Sequence, residues 1–142
     1  MHTNPSDEQV KQLLTDAHTI AIVGASTNPE RSSYGIMQKL QHAGYHVIPV
    51  NPRETEVLGE KAYASLSDIP EHVDIVDVFR RSEDTPPIAA EAVSIGAKVL
   101  WLQSGISNEE AAERATAGGL TVVMDECLGT MHSILRVANK HK

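Results

Sequence analysis

Five short apolar runs recur along the chain, and longer, mostly polar segments separate them. The runs cover residues 19–23, 46–50, 73–79, 99–102 and 120–124. Nearly continuous apolar runs of this length are typical of strands that are covered on both faces, as in a parallel sheet. The pattern therefore predicts five parallel strands.

Helical patterns with recognisable ends fill most of the intervals between these strands. Two of the predicted starts have the spacing of a capping box, and one has proline in its first turn. Residues 51–70 are the exception and are predicted to form a loop with one short helical turn near Ser67. The predicted starts are Ser6 with Gln9, Ser32 or Ser33, Thr85 before Pro86, Ser107 with Glu110, and Leu128, the last helix ending near Asn139.

Strands that alternate with helices imply right-handed crossovers and a parallel sheet. We predict one Rossmann-like, doubly wound α/β domain over residues 1–142, with a core at about 13–132 and helices on both faces of a five-stranded sheet. Counted along the chain, the order 3-2-1-4-5 is favoured because it places the first strand between two wound halves. Ligands of such folds bind beyond the carboxyl ends of the strands, where the strand order reverses.

Composition narrows the classes of function. The chain has 12 Lys and Arg against 19 Asp and Glu, a formal net charge of −7, which argues against a protein that binds duplex nucleic acid. No apolar run approaches the roughly 20 residues that cross a bilayer, and the polar N-terminus lacks the apolar region of a secretory signal. A single cysteine, Cys127, suits a reducing compartment. We therefore expect a cytoplasmic protein with no nucleic-acid or membrane partner; a homodimer stays open.

The loop after the first predicted strand carries the first candidate site. Glycine directly after a strand permits a tight turn and lets phosphate groups approach the backbone, and the next helix offers N–H groups to an anion. The loop departs from the G-x-G-x-x-G fingerprint, and an ordinary strand-to-helix turn with a solvated arginine is the competing interpretation. The candidate ligand residues are Gly24, Ala25, Ser26, Asn28, Pro29, Arg31, Ser32, Ser33 and Tyr34.

The end of the second predicted strand carries Asn51, Pro52 and Arg53. A protein that binds NAD has an acidic residue near this place to hold the ribose hydroxyls. An arginine instead suits a ribose that carries a phosphate, as in NADP or in the 3′-phosphoadenosine of coenzyme A. The alternative is that Arg53 is a solvated loop cation.

The ends of the third and fourth predicted strands supply further candidates. The roles of the aromatic and thiol side chains near the later strand ends follow from their surroundings. Phe79 either flanks an adenine or packs in the core, whereas Trp101 is expected to pack. Cys127 is expected to be an inert thiol, although a helix N-terminus would make it reactive. No carboxylate pair, nucleophile elbow or metal-ligand spacing of histidines occurs, so we predict no catalytic residue and no metal site. The candidate residues here are Val78, Phe79, Arg80, Leu102, Gln103, Ser104 and Gly105.

Four strings of residues together resemble the small, stand-alone CoA-binding proteins, which are related to the CoA-binding domain of the succinyl-CoA synthetase α-subunit. The strings are residues 22–26 with Asn28 and Pro29, then residues 44–52, 73–80 and 96–105. The resemblance implies a CoA site in which residues 24–34 meet the phosphates and Arg53 meets the 3′-phosphate. It also implies that residues 78–80 and 102–105 line the nucleotide pocket.

The phosphohistidine of the synthetase belongs to a second domain that this chain lacks, so its ligase activity is not expected here. The function we expect is non-catalytic binding of coenzyme A or a short acyl-CoA. The alternative is an NADP-dependent oxidoreductase or a redox-sensing nucleotide-binding domain.

Overall fold

The computed structural model describes residues 1–140, and its centre is a five-stranded parallel sheet with the strand order β2-β1-β5-β6-β7. A separate antiparallel hairpin, β3-β4, follows the edge strand β2. The strands are β1 (Thr19–Val23), β2 (His46–Val50), β3 (Glu56–Val57), β4 (Glu60–Lys61), β5 (Ile75–Val78), β6 (Val99–Leu102) and β7 (Thr121–Val123). The helices are α1 (Asp7–Asp16), α2 (Ser32–His42), α3 (Thr85–Ser94), α4 (Glu109–Ala117) and α5 (Leu128–Ile134).

The α/β class and the five parallel strands are confirmed, but the predicted strand order is wrong. Counted over the five long strands, the observed order is 2-1-3-4-5, because β5 pairs with β1 and not with β2. This is the second common order of doubly wound sheets, and its strand order reverses between β1 and β5. The reversal therefore lies between the first and third of the five long strands, whereas the order 3-2-1-4-5 places it between the first and the fourth.

Pro49 gives the physical reason why β2 lies at the sheet edge. Proline has no N–H to donate and is confined to edge strands or bulges. The backbone oxygen of Pro49 accepts from Tyr63 N at 3.0 Å, on the side away from β1. Since N and O of one residue point to the same side of a parallel strand, the missing donor faces outward, where no regular ladder is lost.

The two faces of the sheet are covered by different helices. On one face α1, α2 and α5 bury Leu14, Met37 and Leu128 against Ile22 and Trp101. The indole N–H of Trp101 donates to the backbone oxygen of Glu126 at 2.8 Å, which satisfies its only polar atom. The packing role expected of Trp101 is therefore confirmed.

On the opposite face, α3 and α4 meet through small residues. Ala89 and Ala92 of α3 and Ala111 and Ala115 of α4 are fully buried. Small side chains let the two helices approach each other closely and seal Leu100 beneath them. This layer packs against β5 and β6 on that face of the sheet.

The helix starts follow the predicted segments with shifted caps. Ser6 and Gln9 form the predicted capping box, with Gln9 N 3.2 Å from Ser6 Oγ and Ser6 N 2.9 Å from Gln9 Oε1. At α4 the cap is Asn108 and not Ser107, because the Asn108 side chain accepts from Ala111 N at 2.9 Å. α3 begins at Thr85, whose hydroxyl donates back to Ser82 O.

The last helix is shorter than predicted, ending at Ile134 and not near Asn139. Arg136 adopts a left-handed φ of 55°, a conformation that interrupts helical hydrogen bonding. Residues 51–70 contain the predicted short turn, at Leu66–Asp68, but also the β3–β4 hairpin, which was not predicted. Within residues 1–140, no helix has both the length and the apolar content needed to cross a bilayer.

Asp77 is a buried carboxyl group at the centre of the sheet. It lies on β5 between Ile22 of β1 and Trp101 of β6, and it is 0 % exposed. Neither of its carboxylate oxygens has a hydrogen-bond partner among the described residues. Burial raises the pKa of Asp77 well above its ordinary value of 3.8, which favours the protonated acid in the folded protein.

We predict that Asp77 makes the protein less stable as the pH rises. The unfolded chain releases this proton near pH 3.8 while the folded chain retains it, so stability is greatest below that pH and declines towards the raised folded pKa. The variant Asp77→Asn removes the titration. Urea unfolding at several pH values should show a decline from pH 4 to 7 that is smaller in the variant; parallel profiles would contradict the argument.

Gly24 ends β1 at a point of close backbone contact. Its N–H donates to Val50 O at 2.9 Å, and Phe79 N donates to Val23 O at 2.8 Å, so the turn lies between the ends of β2 and β5. Its φ is 91°, and a Cβ atom at this position would lie 2.5 Å from the backbone oxygen of Phe79. Only glycine fits here without moving the neighbouring strand.

We predict that Gly24→Ala destabilises the fold by about 1–3 kcal/mol, through strain and a backbone clash. Gly59→Ala is the matched control, because Gly59 also has a positive φ, 81°, but open space around the new Cβ. Urea unfolding of both variants separates the clash from the conformational cost. Equal losses would show that the contact with Phe79 is unimportant.

Candidate ligand site at the carboxyl edge of the sheet

A cleft of about 440 Å³ opens at the carboxyl ends of β1 and β5, where the strand order reverses. Six of the predicted site residues line it, together with two that were not predicted. The lining residues are Gly24, Glu30, Arg31, Ser32, Ser33, Phe79, Arg80 and Ile106. The structure thus brings together the loop after β1, the start of α2 and the end of β5.

The loop between β1 and α2 is shaped by its own side chains. Ser26 Oγ accepts from Asn28 N at 3.0 Å, and Asn28 Oδ1 accepts from Glu30 N at 3.0 Å. The backbone oxygen of Asn28 then accepts from Arg31 N at 3.0 Å. Ser26 and Asn28 therefore order the loop, and the exposed Pro29 extends it towards α2.

The N-terminus of α2 opens into the cleft without a side-chain cap. Arg31 is its N-cap residue and makes no capping hydrogen bond, unlike the caps of α1 and α4. Ser32 and Ser33 occupy the first turn, and the correction to the predicted cap is that neither serine serves as one. An uncapped helix start presents backbone N–H groups and a partial positive charge to an anion.

The end of β2 is clamped to the loop after β1. Asn51 Nδ2 donates to Ala25 O at 2.8 Å, and Asn51 Oδ1 accepts from Arg53 N at 2.9 Å. Asn51 therefore positions the turn that carries Arg53. Pro52 and Arg53 are exposed and do not line the cleft.

A carboxylate that the sequence did not single out lies beside this turn. Glu54 Oε2 accepts from Thr27 N at 2.9 Å and from Thr27 Oγ1 at 3.2 Å. An acidic residue is thus present near the end of β2, four residues beyond the strand. The contact between Glu54 and Thr27 forms because the loop after β2 lies against the loop after β1. The sequence alone does not indicate this contact.

The charges that line the cleft are two guanidinium groups and one carboxylate. Arg31 is exposed, Arg80 is half-buried, and the carboxylate is that of the exposed Glu30. The adjacent Arg81 is directed to Asp84, with Nε 3.1 Å from Oδ2, and lies outside the lining. The cleft therefore has a local excess of positive charge in a protein of net charge −7.

The remaining predicted residues lie beside the cleft and not in its lining. Val78 and Leu102 are 0 % exposed and pack in the core, so their side chains are enclosed. Tyr34 is half-buried in the first turn of α2. Ser104 and Gly105 are exposed in the loop after β6, where Gly105 N donates to Asp125 Oδ1. A ligand contact for these residues stays a prediction.

Gln103 joins the end of β6 to the start of α5. Its side chain is 4 % exposed, and its Oε1 accepts from Leu128 N at 3.1 Å. Its Nε2 has no partner among the described residues. Cys127, at the N-cap of α5, is a half-buried free thiol. Residues 1–140 contain no group of three His, Cys, Asp or Glu side chains that would hold a metal ion.

Glu30 and Ile106 are the lining residues that the list of candidate ligand residues does not include. Glu30 lies within the candidate loop, and its negative charge repels an anion. Ile106 follows the end of β6, and only the pairing of β6 with β5 brings its loop to the cleft.

Comparisons with known proteins identify the family of the chain. A family described as "CoA binding domain" matches residues 18–133. The chain is 44% identical over 133 residues to the uncharacterized protein YneT of Bacillus subtilis (strain 168), covering 94% of this chain and 98% of that protein. A solved structure, a hypothetical protein from Pyrococcus horikoshii OT3, is 39% identical with a TM-score of 0.90 and covers 96% of this chain and 99% of that one.

Part of a larger enzyme is also similar. The α subunit of an ADP-forming acetate–CoA ligase II from Pyrococcus furiosus is 30% identical over 125 residues. The match covers 80% of this chain but only 27% of that subunit. The chain therefore belongs to the CoA-binding domain family.

Proposed function

We propose that the protein binds coenzyme A, or a short acyl-CoA, in the cleft at the carboxyl edge of its sheet. The single observation that carries the proposal is the uncapped start of α2, which lines the same cleft as Gly24, Arg31 and Arg80. Membership in the CoA-binding domain family supports the same ligand.

The pyrophosphate is assigned to the α2 N-terminus. Gly24 has no side chain to block the approach of a phosphate, and the first-turn N–H groups of Ser32 and Ser33 act as donors. Arg31 and Arg80 supply charge-assisted hydrogen bonds, which are the stronger kind. Phe79 lines the same cleft and offers an apolar surface to the adenine.

The 3′-phosphate is assigned to Arg53. Asn51 holds the backbone of this residue at the end of β2, while its side chain is exposed and available. A guanidinium group binds a phosphate through two parallel hydrogen bonds, which gives both affinity and orientation.

We propose that binding is not followed by a reaction. The cleft lining contains no cysteine or histidine. Its one carboxylate, Glu30, forms no ion pair with a basic side chain within residues 1–140. The similar ligase subunit is several times longer than this chain, so its activity belongs to a larger protein. The NADP-dependent alternative has no support in the comparisons, and the cytoplasmic location stays a prediction.

We predict that Arg53 distinguishes coenzyme A from dephospho-CoA. The variant Arg53→Gln should weaken CoA binding roughly tenfold, the size of one charge-assisted hydrogen bond, and leave dephospho-CoA binding unchanged. Arg114→Gln, which removes an exposed guanidinium of α4, is the matched control. Calorimetry with both ligands measures the effect; equal affinity of the natural protein for both would remove Arg53 from its role.

We predict that Glu54→Gln strengthens CoA binding a few-fold. The amide keeps an acceptor for Thr27 N while removing a negative charge from the neighbourhood of the proposed 3′-phosphate. If Glu54 instead held the ribose hydroxyls, as an acidic residue does in a protein that binds NAD, the same substitution would weaken binding. Weaker binding of CoA by this variant, measured by calorimetry, would therefore favour a ribose contact over our assignment.

A further inference from the structure

A second cleft lies at the other end of α2 from the proposed CoA site. It has a volume of about 380 Å³ and lies between α2, α5 and the segment that follows α5. Its polar lining comes from Lys39, His42, His132, Ser133, Arg136 and Asn139. Since α2 has 11 residues, the two clefts are separated by about 16 Å along the helix axis.

The described lining of the second cleft contains cationic side chains but no carboxylate. No Asp or Glu contributes to its lining within residues 1–140. Lys39, Arg136 and Lys140 form no ion pair with a described carboxylate. In a chain with 19 acidic and only 12 Lys and Arg residues, such a grouping is not expected from composition.

The lysine ammonium groups are held by neutral acceptors. Lys39 Nζ donates to Gly129 O at 2.7 Å and also contacts Ser133 Oγ. Lys140 Nζ donates to Thr15 O, and its backbone N–H donates to the oxygen of Ala43, which lines the cleft. Their positive charge is therefore not neutralised by a described partner.

His132 forms a buried part of the same cleft. It is 5 % exposed, packs edge-to-face on Tyr45 with ring centroids 5.8 Å apart, and its Nε2 has no partner among the described residues. Burial, together with the charges of Lys39 and Lys140, lowers its pKa. Burial is the larger cause of the lowered pKa, and the two lysine charges add to it, so the neutral imidazole is favoured in this cleft.

Compensation of helix dipoles does not explain the grouping. Cations are favoured in the last turn of a helix, and Lys39 and His42 lie there in α2. However, Lys39 Nζ is directed to the first turn of α5, at Gly129, and Arg136 lies beyond the end of α5. The cations thus converge on the cleft and not on one helix end.

We propose that this second cleft binds a phosphate-type oxyanion, either free inorganic phosphate or the phosphate group of a metabolite. A guanidinium group with nearby ammonium groups suits a multiply charged oxyanion, which accepts several hydrogen bonds at once. The site is separate from the proposed CoA site, and each proposal stands or falls without the other.

The test is an NMR titration with inorganic phosphate at pH 7, with sodium chloride at matched ionic strength as the reference. Signals of His132 and Ser133 should shift and saturate with phosphate only. Arg136→Gln, an exposed position, should weaken binding roughly tenfold, as for one charge-assisted hydrogen bond. Lys11→Gln on α1 is the control and should have no effect. Shifts that chloride reproduces, or an equal effect of Lys11→Gln, would overturn the proposal.

Two further arms of the experiment identify the source and separate the sites. The His132 signal gives the affinities for AMP and for inorganic phosphate. Tighter binding of AMP indicates that the site takes the phosphate group of a metabolite, and weaker or equal binding indicates that it takes the free ion. Bound anion should raise the pKa of His132, because it offsets Lys39 and Lys140, the charged groups that act on His132 from α2 and the C-terminal segment. The phosphate response should persist in Arg53→Gln, whereas its loss there would place the ion at the CoA cleft and overturn the proposal.

Discussion

The close contact between the turn at Gly24 and the end of β5 is the constraint on which the ligand edge depends. β1 is paired on both sides, with β2 and β5, and its chain must leave the sheet between two neighbouring backbones. A side chain at Gly24 would meet the backbone oxygen of Phe79. In the proposed CoA site, the bare backbone of Gly24 is also what a phosphate approaches beside the start of α2. The fold and the proposed site therefore both require glycine at this position.

Charge is distributed unevenly over the protein. The protein is acidic overall, yet cations line clefts at both ends of α2. At the carboxyl edge, Arg31 and Arg80 line a cleft together with an uncapped helix start. At the opposite end, Lys39 and Arg136 line a cleft that contains no such helix start. An acidic surface around a positive cleft repels other polyanions and leaves a small anionic ligand a local place to bind.

Much of the fold was predictable because strand and helix signals are local. The limits of β1, β2 and β6 match the apolar runs, and the capping box at Ser6 has its expected partner in Gln9. Cap residues were less predictable, because Ser107 and Asn108 offer similar side chains and only the geometry of the chain selects one. Within the candidate site, Gly24 followed from its position directly after a strand, and the start of α2 followed from the serines at 32 and 33.

The sequence by itself determined the α/β class, the five strands and the loop that carries the candidate phosphate-binding residues, since these depend on neighbours within a few positions. The tertiary structure decided the strand order, because a strand covered on both faces has the same apolar pattern whichever strand lies beside it. It also decided that Asp77 is buried without a partner and that Glu54 reaches Thr27. The cations at the far end of α2 converge for the same reason: Lys39 and Arg136 are almost a hundred residues apart, and only packing brings them together.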